Sequence, residues 1–384
     1  MINWTLDIID IVLLGVLGAL FLVQLYFYAR YMCAPARKIR KDLKSEGGKD
    51  LRIEWPAVTV VLCAHNESYN LSQYLQALLT QDYPEYEVIV VDDGSEDETR
   101  AVLDSYMVRD PRLHMTFVPY GARVGSTKKL ALTLAAKAAK YDYLLLTDAD
   151  CVPESNQWIR EMMAGFASSQ TSIVLGFSPY FAEKGWINRL TRYDSLFNGL
   201  HYLGAALCGH PYMGVGRNLA YRKSMFFETG GFTHLMTNKA GDDDLFVNKV
   251  ATKENTAVVL SRESYMWSLT KKTVKDWWQQ KRRHLSVSPN YRMDTKFRLA
   301  LEPMTRGLFY ALVIYLVVRY QLSVVSLMAV GLFLLRWIIQ TAIINVSARR
   351  MGLKRFCMTS ILWFDIVLPL VSLYMLIVPK KYKW

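Results

Sequence analysis

The chain has 384 residues, 52% of them hydrophobic and 21% charged, and carries a formal net charge of +12. So much apolar content excludes a disordered chain, and the length exceeds one domain of about 150 residues. The charge gathers at the ends, with ten bases against two acids over 300–384 and eight against four over 29–57; residues 58–299 are near neutral, with 28 bases and 26 acids, which speaks against the basic surface of a nucleic-acid-binding protein.

Ile11 to Ala29 is a run of 19 residues without a charge, close to the ~20 needed to cross hydrocarbon as a helix. It lacks the basic start and small-residue cleavage site of a secretory leader. Asp7 and Asp10 precede it, and Arg30, Arg37, Lys38, Arg40, Lys41 and Lys44 follow. The cytoplasmic bias of such bases places the N-terminus outside and the following residues inside. Five widely spaced cysteines (Cys33, Cys63, Cys151, Cys208, Cys357) include no CxxC pair, which predicts neither a disulfide framework nor a zinc site and fits a reducing compartment.

An alternating pattern begins at Val58. Val58–Ala64 predicts a buried parallel strand, followed by a helix capped by Asn70 and ending at Leu79. Then come a strand at Val88–Val91, a helix over about 96–107, a strand at Leu113–Val118, a helix at Lys128–Lys140 and a strand at Tyr143–Thr147. This is the α/β alternation of a doubly wound, mainly parallel sheet, whose ligands sit beyond the carboxyl ends of the strands. Those ends carry His65-Asn66-Glu67, Asp92-Asp93-Gly94-Ser95 and Asp148-Ala149-Asp150.

Each motif has two readings. Asp148 and Asp150 suit a Mg2+ or Mn2+ ion bridging to a diphosphate, or a solvated turn. Asp92 and Asp93 offer acceptors to a base or ribose, or form an Asp-Gly turn with Ser95 capping the next helix. In Gly241-Asp242-Asp243-Asp244, mutual repulsion raises at least one carboxyl pKa, which suits a general base; Asp is also favoured at a helix N-terminus, and both roles can hold. Trp277-Trp278-Gln279-Gln280-Lys281-Arg282-Arg283-His284 joins aromatic, amide and guanidinium groups suited to sugars and phosphates, or forms an interfacial helix. Gly185–Ala206 reads as amphipathic, for membrane-surface or core packing. No GxGxxG or GxxxxGKS/T fingerprint follows the strands, which disfavours a nicotinamide dehydrogenase or a P-loop ATPase. Three helices are predicted near 300–318, 322–346 and 358–378, with a cytoplasmic loop 347–357 carrying Arg349, Arg350, Lys354 and Arg355. That path puts Lys380, Lys381 and Lys383 outside, against the charge rule, unless one segment is re-entrant or interfacial.

Taken together, the motifs resemble those of the inverting family 2 glycosyltransferases of GT-A fold, in their membrane-bound polysaccharide-synthase branch, over about residues 56–300. VTVVLCAHNE is similar to the family's opening strand and turn, which implies that Asn66 and Glu67 lie near the nucleotide. VDDGS resembles the uridine-contacting turn at Asp92 and Asp93. GSTKKLALT resembles the GKxxAL helix start, with Lys128 as its lysine. TDADC resembles the DxD motif, which implies Asp148 near ribose and phosphate and Asp150 on the metal. GDDDLFVNK resembles the GDDRxLTNR segment of hyaluronan synthases, which makes Asp243 the base; an EDxDL register chooses Asp242 instead. QKRRH resembles QxxRW with His284 in place of tryptophan. That leaves Gln280 and Arg283 on the phosphate side and His284 and Trp278 on the acceptor side, and it weakens the expectation of processive synthesis. Gly214 to Phe232 resembles the acceptor-side insert.

The resulting expectation is an α/β chain, a GT-A doubly wound and mainly parallel sheet flanked by transmembrane helices. Its segments are a membrane helix (1–30), a basic cytoplasmic linker (31–55), the glycosyltransferase domain (56–299) and a C-terminal membrane region (300–384). The resemblance implies a metal-dependent inverting enzyme of the inner (plasma) membrane. It would move a sugar from a nucleotide sugar, UDP-linked, to a polysaccharide or lipid-linked acceptor, with the lipid bilayer as a partner and no nucleic acid. The alternative is a non-catalytic membrane scaffold that keeps the nucleotide-binding fold.

Overall fold

The computed structural model describes residues 7–45, 55–119, 121, 126–236 and 240–378. Helices α1 (Ile8–Phe27) and α2 (Ala34–Ser45) are joined through a π-helical turn at Tyr28–Met32. The alternating region follows as β1 (Val58–Ala64), α3 (Ser68–Leu79), β2 (Tyr86–Asp92), α4 (Thr99–Met107), β3 (Leu113–Phe117), α5 (Thr127–Ala138) and β4 (Tyr143–Asp148). Next come β5 (Cys151–Pro153), α6 (Trp158–Ala164), β6 (Ile173–Leu175), α7 (Trp186–Leu207), β7 (Leu219–Arg222), α8 (Lys223–Glu228) and α9 (Asp244–Val250). β8 (Thr256–Val258), β9 (Met266–Ser268) and α10 (Val274–Leu285) lead to α11 (Met293–Tyr320), α12 (Val324–Arg350) and α13 (Met358–Ile377). The chain divides into two compact units, Lys38–Tyr291 and Met1–Arg37 with Arg292–Trp384.

In the α/β unit the main sheet has the order β3-β2-β1-β4-β7-β6-β8. β1 pairs in parallel with β2, ending with Ala64 opposite Asp92, and with β4, ending with Cys63 opposite Asp148. This register sets the three polar strand ends side by side. β7 runs antiparallel to both β4 and β6, so the sheet is mainly but not wholly parallel. Val58, Val60, Leu62, Val88 and Val90 are buried against Leu71, Leu75 and Leu78 of α3, Leu103 of α4 and Trp158 and Met162 of α6. Burial on both faces explains why these strands are continuous apolar runs rather than alternating ones.

The helical unit holds an apolar cluster of Leu17, Phe309, Val313, Leu316, Val325 and Ala329. Ile314, Val318, Leu370 and Ile377 face outward. Among the described residues, four helices are long and apolar enough to cross a membrane: Ile8–Lys44, Met293–Tyr320, Val324–Arg350 and Met358–Ile377.

Several local expectations change. Asp7 and Asp10 exchange backbone hydrogen bonds at 2.8 and 3.1 Å, so α1 starts at Ile8 rather than at the end of the acidic pair. α3 begins at Ser68, and the Asn70 amide donates to Glu67 instead of capping the helix. Ser95 does not cap α4: its hydroxyl accepts the Asn66 N–H, while the Asp97 carboxylate takes the N–H and hydroxyl of Thr99. α12 runs through Arg350, which shortens the basic loop to 351–357. α7 buries Leu190, Tyr193, Leu196 and Leu200, so core packing is the reading that holds for that stretch, although Trp186 is exposed. None of the five cysteines, all among the described residues, is in a disulfide. Lys380, Lys381 and Lys383 lie outside the described residues.

Candidate active site

The turns after β1 and β2 lock onto each other. Asn66 has a left-handed φ of 56°, its side-chain oxygen accepts the Glu96 N–H at 2.8 Å, and its N–H reaches Ser95 at 3.0 Å. Asp92 accepts the Ser95 N–H at 2.9 Å, and the His65 ring contacts the Asp93 carbonyl at 2.7 Å. Part of the hydrogen-bonding capacity expected to serve a nucleotide is therefore spent on shaping the turn. Burial, above all, raises the Glu67 carboxyl, with Asp150 and Asp148 adding repulsion against the Asn70 donor.

The third strand end meets the late acidic turn through one ammonium. Lys128, in the first turn of α5, lies 3.0 Å from Asp148 and 3.2 Å from Asp242. Burial works against the lysine's charge, but Asp148 and Asp242 outweigh it and raise its pKa well above the ordinary value. Burial likewise opposes ionisation of Asp148, yet Lys128, with Arg217 and Arg283 further off, holds it below the usual carboxylate range. Arg283 thus acts on the same carboxylate from α10.

The acidic turn is built around Gly241, whose φ is +88°; a Cβ there would lie 2.6 Å from Leu245. Asp243 caps α9, its side chain accepting the Asp244 N–H at 2.8 Å and the Gly216 N–H at 2.7 Å. Burial and the neighbouring Asp242 raise its pKa despite both donors. Asp244 is buried, accepts the Tyr291 hydroxyl at 2.9 Å, and is pushed well above the usual range by burial and Asp243. The capping and raised-pKa readings of this turn therefore coexist in one residue.

On α10, Trp277 is buried, Trp278 half-buried and packed edge-on to it, and His284 exposed. Lys281 pairs with Asp194 of α7 at 2.7 Å, which fixes the helix. Gln280 does not lie free for a phosphate: its amide donates to the Tyr180 hydroxyl at 3.2 Å. Burial pushes the Cys63 thiol up to about 12, which removes thiolate chemistry there.

Three contributors escaped sequence reasoning. Lys129, fully buried, donates to the carbonyls of Leu235 and Ala240 at 2.8 and 2.7 Å and braces the segment leading into the acidic turn. Tyr291 partners Asp244, and Arg217 stacks on Tyr180. The one visible signal was the second lysine of Lys128-Lys129 on an otherwise apolar helix face.

No group of three or more His, Cys, Asp or Glu side chains among the described residues is placed to hold a metal by itself. That donor set still fits Mg2+ bound in the nucleotide-site manner, by one or two carboxylates plus substrate phosphates. Asp150 supplies such a carboxylate: it is half-buried, and its hydrogen-bond donor among the described residues is the Cys151 thiol at 3.4 Å.

A mainly parallel sheet with acidic strand ends, closed by a late acidic turn, defines a GT-A glycosyltransferase fold. It overlays the solved mannosyltransferase PcManGT from Pyrobaculum calidifontis, a complex with GDP-Man and Mn2+, with a TM-score of 0.56 at 18% identity over 88% of this chain and 99% of that one. The chain belongs to glycosyl transferase family 21, whose family model matches residues 19–378. Among curated relatives, a poly-beta-1,6-N-acetyl-D-glucosamine synthase of Staphylococcus epidermidis is 32% identical over 95 residues, 25% of this chain and 22% of the relative. The chondroitin synthase of Escherichia coli is 24% identical over 242 residues, 54% of this chain and 34% of that protein. The chain thus matches about a third or less of the length of these relatives.

Proposed function

We propose that this membrane glycosyltransferase moves a sugar from a UDP-sugar to a hydroxyl of a polysaccharide or lipid-linked acceptor, by one inverting displacement at the cytoplasmic face of the inner membrane. The observation that carries the reading is the Asp243 carboxylate. Two backbone N–H groups aim it, and burial with Asp242 raises its pKa, which are the attributes of a positioned base. Asp243 takes the acceptor proton as the hydroxyl oxygen attacks the anomeric carbon. Asp242, tied to Lys128, is the second choice for that role. Lys128 and Arg283 oppose the charge of the departing diphosphate. Asn66, Glu67, Asp92 and Asp93 line the nucleoside side, with Asp148 between it and the phosphates. Bound at Asp150, Mg2+ or Mn2+ supplies charge neutralisation of the diphosphate. His284 and Trp278 lie on the acceptor side. A single displacement needs no carboxylate nucleophile.

The names of the curated relatives support a glycan product, and the bases after α1 support a cytoplasmic α/β unit. The test is a screen of labelled nucleotide sugars on membranes containing the chain, with and without Mn2+, and mass spectrometry of the products. Metal-dependent transfer with UDP release is expected, and Asp150→Ala is expected to lose it. A ladder of products indicates elongation, and one shifted glycolipid indicates single addition. Transfer from Asp150→Ala at the wild-type rate and metal dependence would sink the metal assignment.

A further inference from the structure

Arg217 is a cation that the transfer scheme above leaves without a role. It sits in the short turn Gly216–Asn218 before β7, with its guanidinium 4.4 Å over the Tyr180 ring. The side chain is half-buried, and Nη1 is shielded from solvent without a hydrogen-bond partner. Guanidinium groups carry a fixed charge and five donors in a planar fork, so an Arg held over an aromatic ring, half-buried and with donors not all spent within the protein, suits an oxyanion.

The turn is fixed from both sides. Gly216 donates its N–H to Asp243 at 2.7 Å. Asn218 is fully buried; its amide donates to the carbonyls of Phe177 (2.9 Å) and Ser264 (2.8 Å) and accepts from the Trp158 ring at 3.0 Å. Gly176 permits that packing, since a Cβ there would lie 2.4 Å from Asn218. Beneath Arg217, Tyr180 is held by Gln280. Tyr180, Cys151, Asp148 and Asp150 all favour the arginine's charge, against the cost of its burial.

Resting on the nucleotide-sugar reading above, we infer that Arg217 binds the terminal phosphate of the donor's diphosphate, the one bonded to the sugar, and that Tyr180 and Gln280 are its positioning residues. The choice of phosphate follows from the turn. Residue 216 holds the proposed base, whereas the nucleoside side lies at the β1 and β2 turns, so residue 217 belongs to the transfer end. A guanidinium beside the Asp148–Asp150 carboxylates then completes a mixed-charge cradle in which the anionic phosphate meets its cation.

The experiment is isothermal titration of the detergent-solubilised full chain with UDP and with UMP, each in Mn2+. Arg217→Ala is expected to weaken UDP binding by about ten-fold or more, as for loss of charge-assisted hydrogen bonds, and to leave UMP within about two-fold. Arg217→Lys should restore part of the UDP affinity, and Tyr180→Ala should mimic a milder loss. Equal losses for UDP and UMP, or no loss for either, overturn the assignment. If Arg217→Ala does not fold, Arg217→Gln carries the same comparison, because it keeps bulk without charge. A wild-type chain that binds neither UDP nor UMP refutes the UDP-sugar reading itself, and is thereby distinct from failure at Arg217.

Discussion

Both units hold charge away from water, but they balance it differently. In the helical unit, Asp365 accepts from Arg306 at 2.6 Å, Arg336 at 2.9 Å and Gln340 at 2.6 Å, with the Tyr310 hydroxyl as a further donor. Glu302 pairs with Arg306 at 3.1 Å, while Arg336 also reaches Tyr28 at 2.7 Å and Gln24 at 3.2 Å. Two acids meet two arginines in this cluster. In the α/β unit, Asp148, Asp150, Asp242 and Asp243 share Lys128, Arg217 and Arg283, and burial with Asp242 raises the Asp243 carboxyl. A neutral, mutually bonded cluster ties helices together where no water can solvate them. A cluster that leaves one positioned carboxyl with a raised pKa keeps a group suited to proton transfer. The same residue types therefore serve cohesion in one unit and chemistry in the other.

The contrast can be broken at its sharpest point by Asp243→Asn. Transfer should fall by ~10²–10⁴-fold, the usual worth of a positioned general base, while the melting temperature should shift little, because the repulsion with Asp242 is removed but one of the two backbone N–H groups loses its acceptor. If both Asp243→Asn and Asp242→Asn transfer at the wild-type rate, neither residue is the base. The wild-type pH profile sharpens the same point. The base form of Asp243 is the deprotonated one and its pKa is raised, so kcat/KM should decline on acidification at a higher pH than the ~3.9 of an ordinary aspartate implies.

In the helical unit the expected loss is stability. Asp365→Ala strands Arg306 and Arg336 without their shared carboxylate and should cost ~3–5 kcal/mol, the range for breaking a buried ion pair. Thermal unfolding in detergent should show this as a lowered midpoint, and a variant that melts like the wild type would refute the cohesive role. The smallest effect is expected at Thr273, whose hydroxyl caps α10 by accepting the Asp276 N–H at 3.1 Å. Thr273→Ala should cost ~1 kcal/mol and act on the helix that carries Arg283 and His284, with a modest rise in donor KM as its kinetic trace.

The first four strands and the four long helices were legible in the sequence because their signals are local, whereas the short strands β5 to β9 were not read from it. Buried parallel strands read as apolar runs, and membrane-length helices read as uncharged stretches. The strand-end acids were legible because chain direction alone places them beyond a parallel sheet. Boundaries slipped where side chains chose partners across turns: Asp7 with Asp10 set the start of α1, and Asn66 with Ser95 displaced the expected cap of α4. Gln280 was expected on the phosphate side from the resemblance of its segment to QxxRW, and the fold sets its amide on the Tyr180 hydroxyl.

What the sequence determined by itself is the class: an α/β sheet with acids at its carboxyl ends, joined to apolar helices by basic flanks. What only the tertiary structure decided is which charges meet. Lys128 bridges Asp148 and Asp242, which lie 94 positions apart in the chain, Gly216 aims Asp243, and Arg217 rests on Tyr180. Periodicity and turn chemistry act over a few residues, whereas pKa values and anion sites depend on distances between atoms far apart in the chain, which exist only once the core has packed.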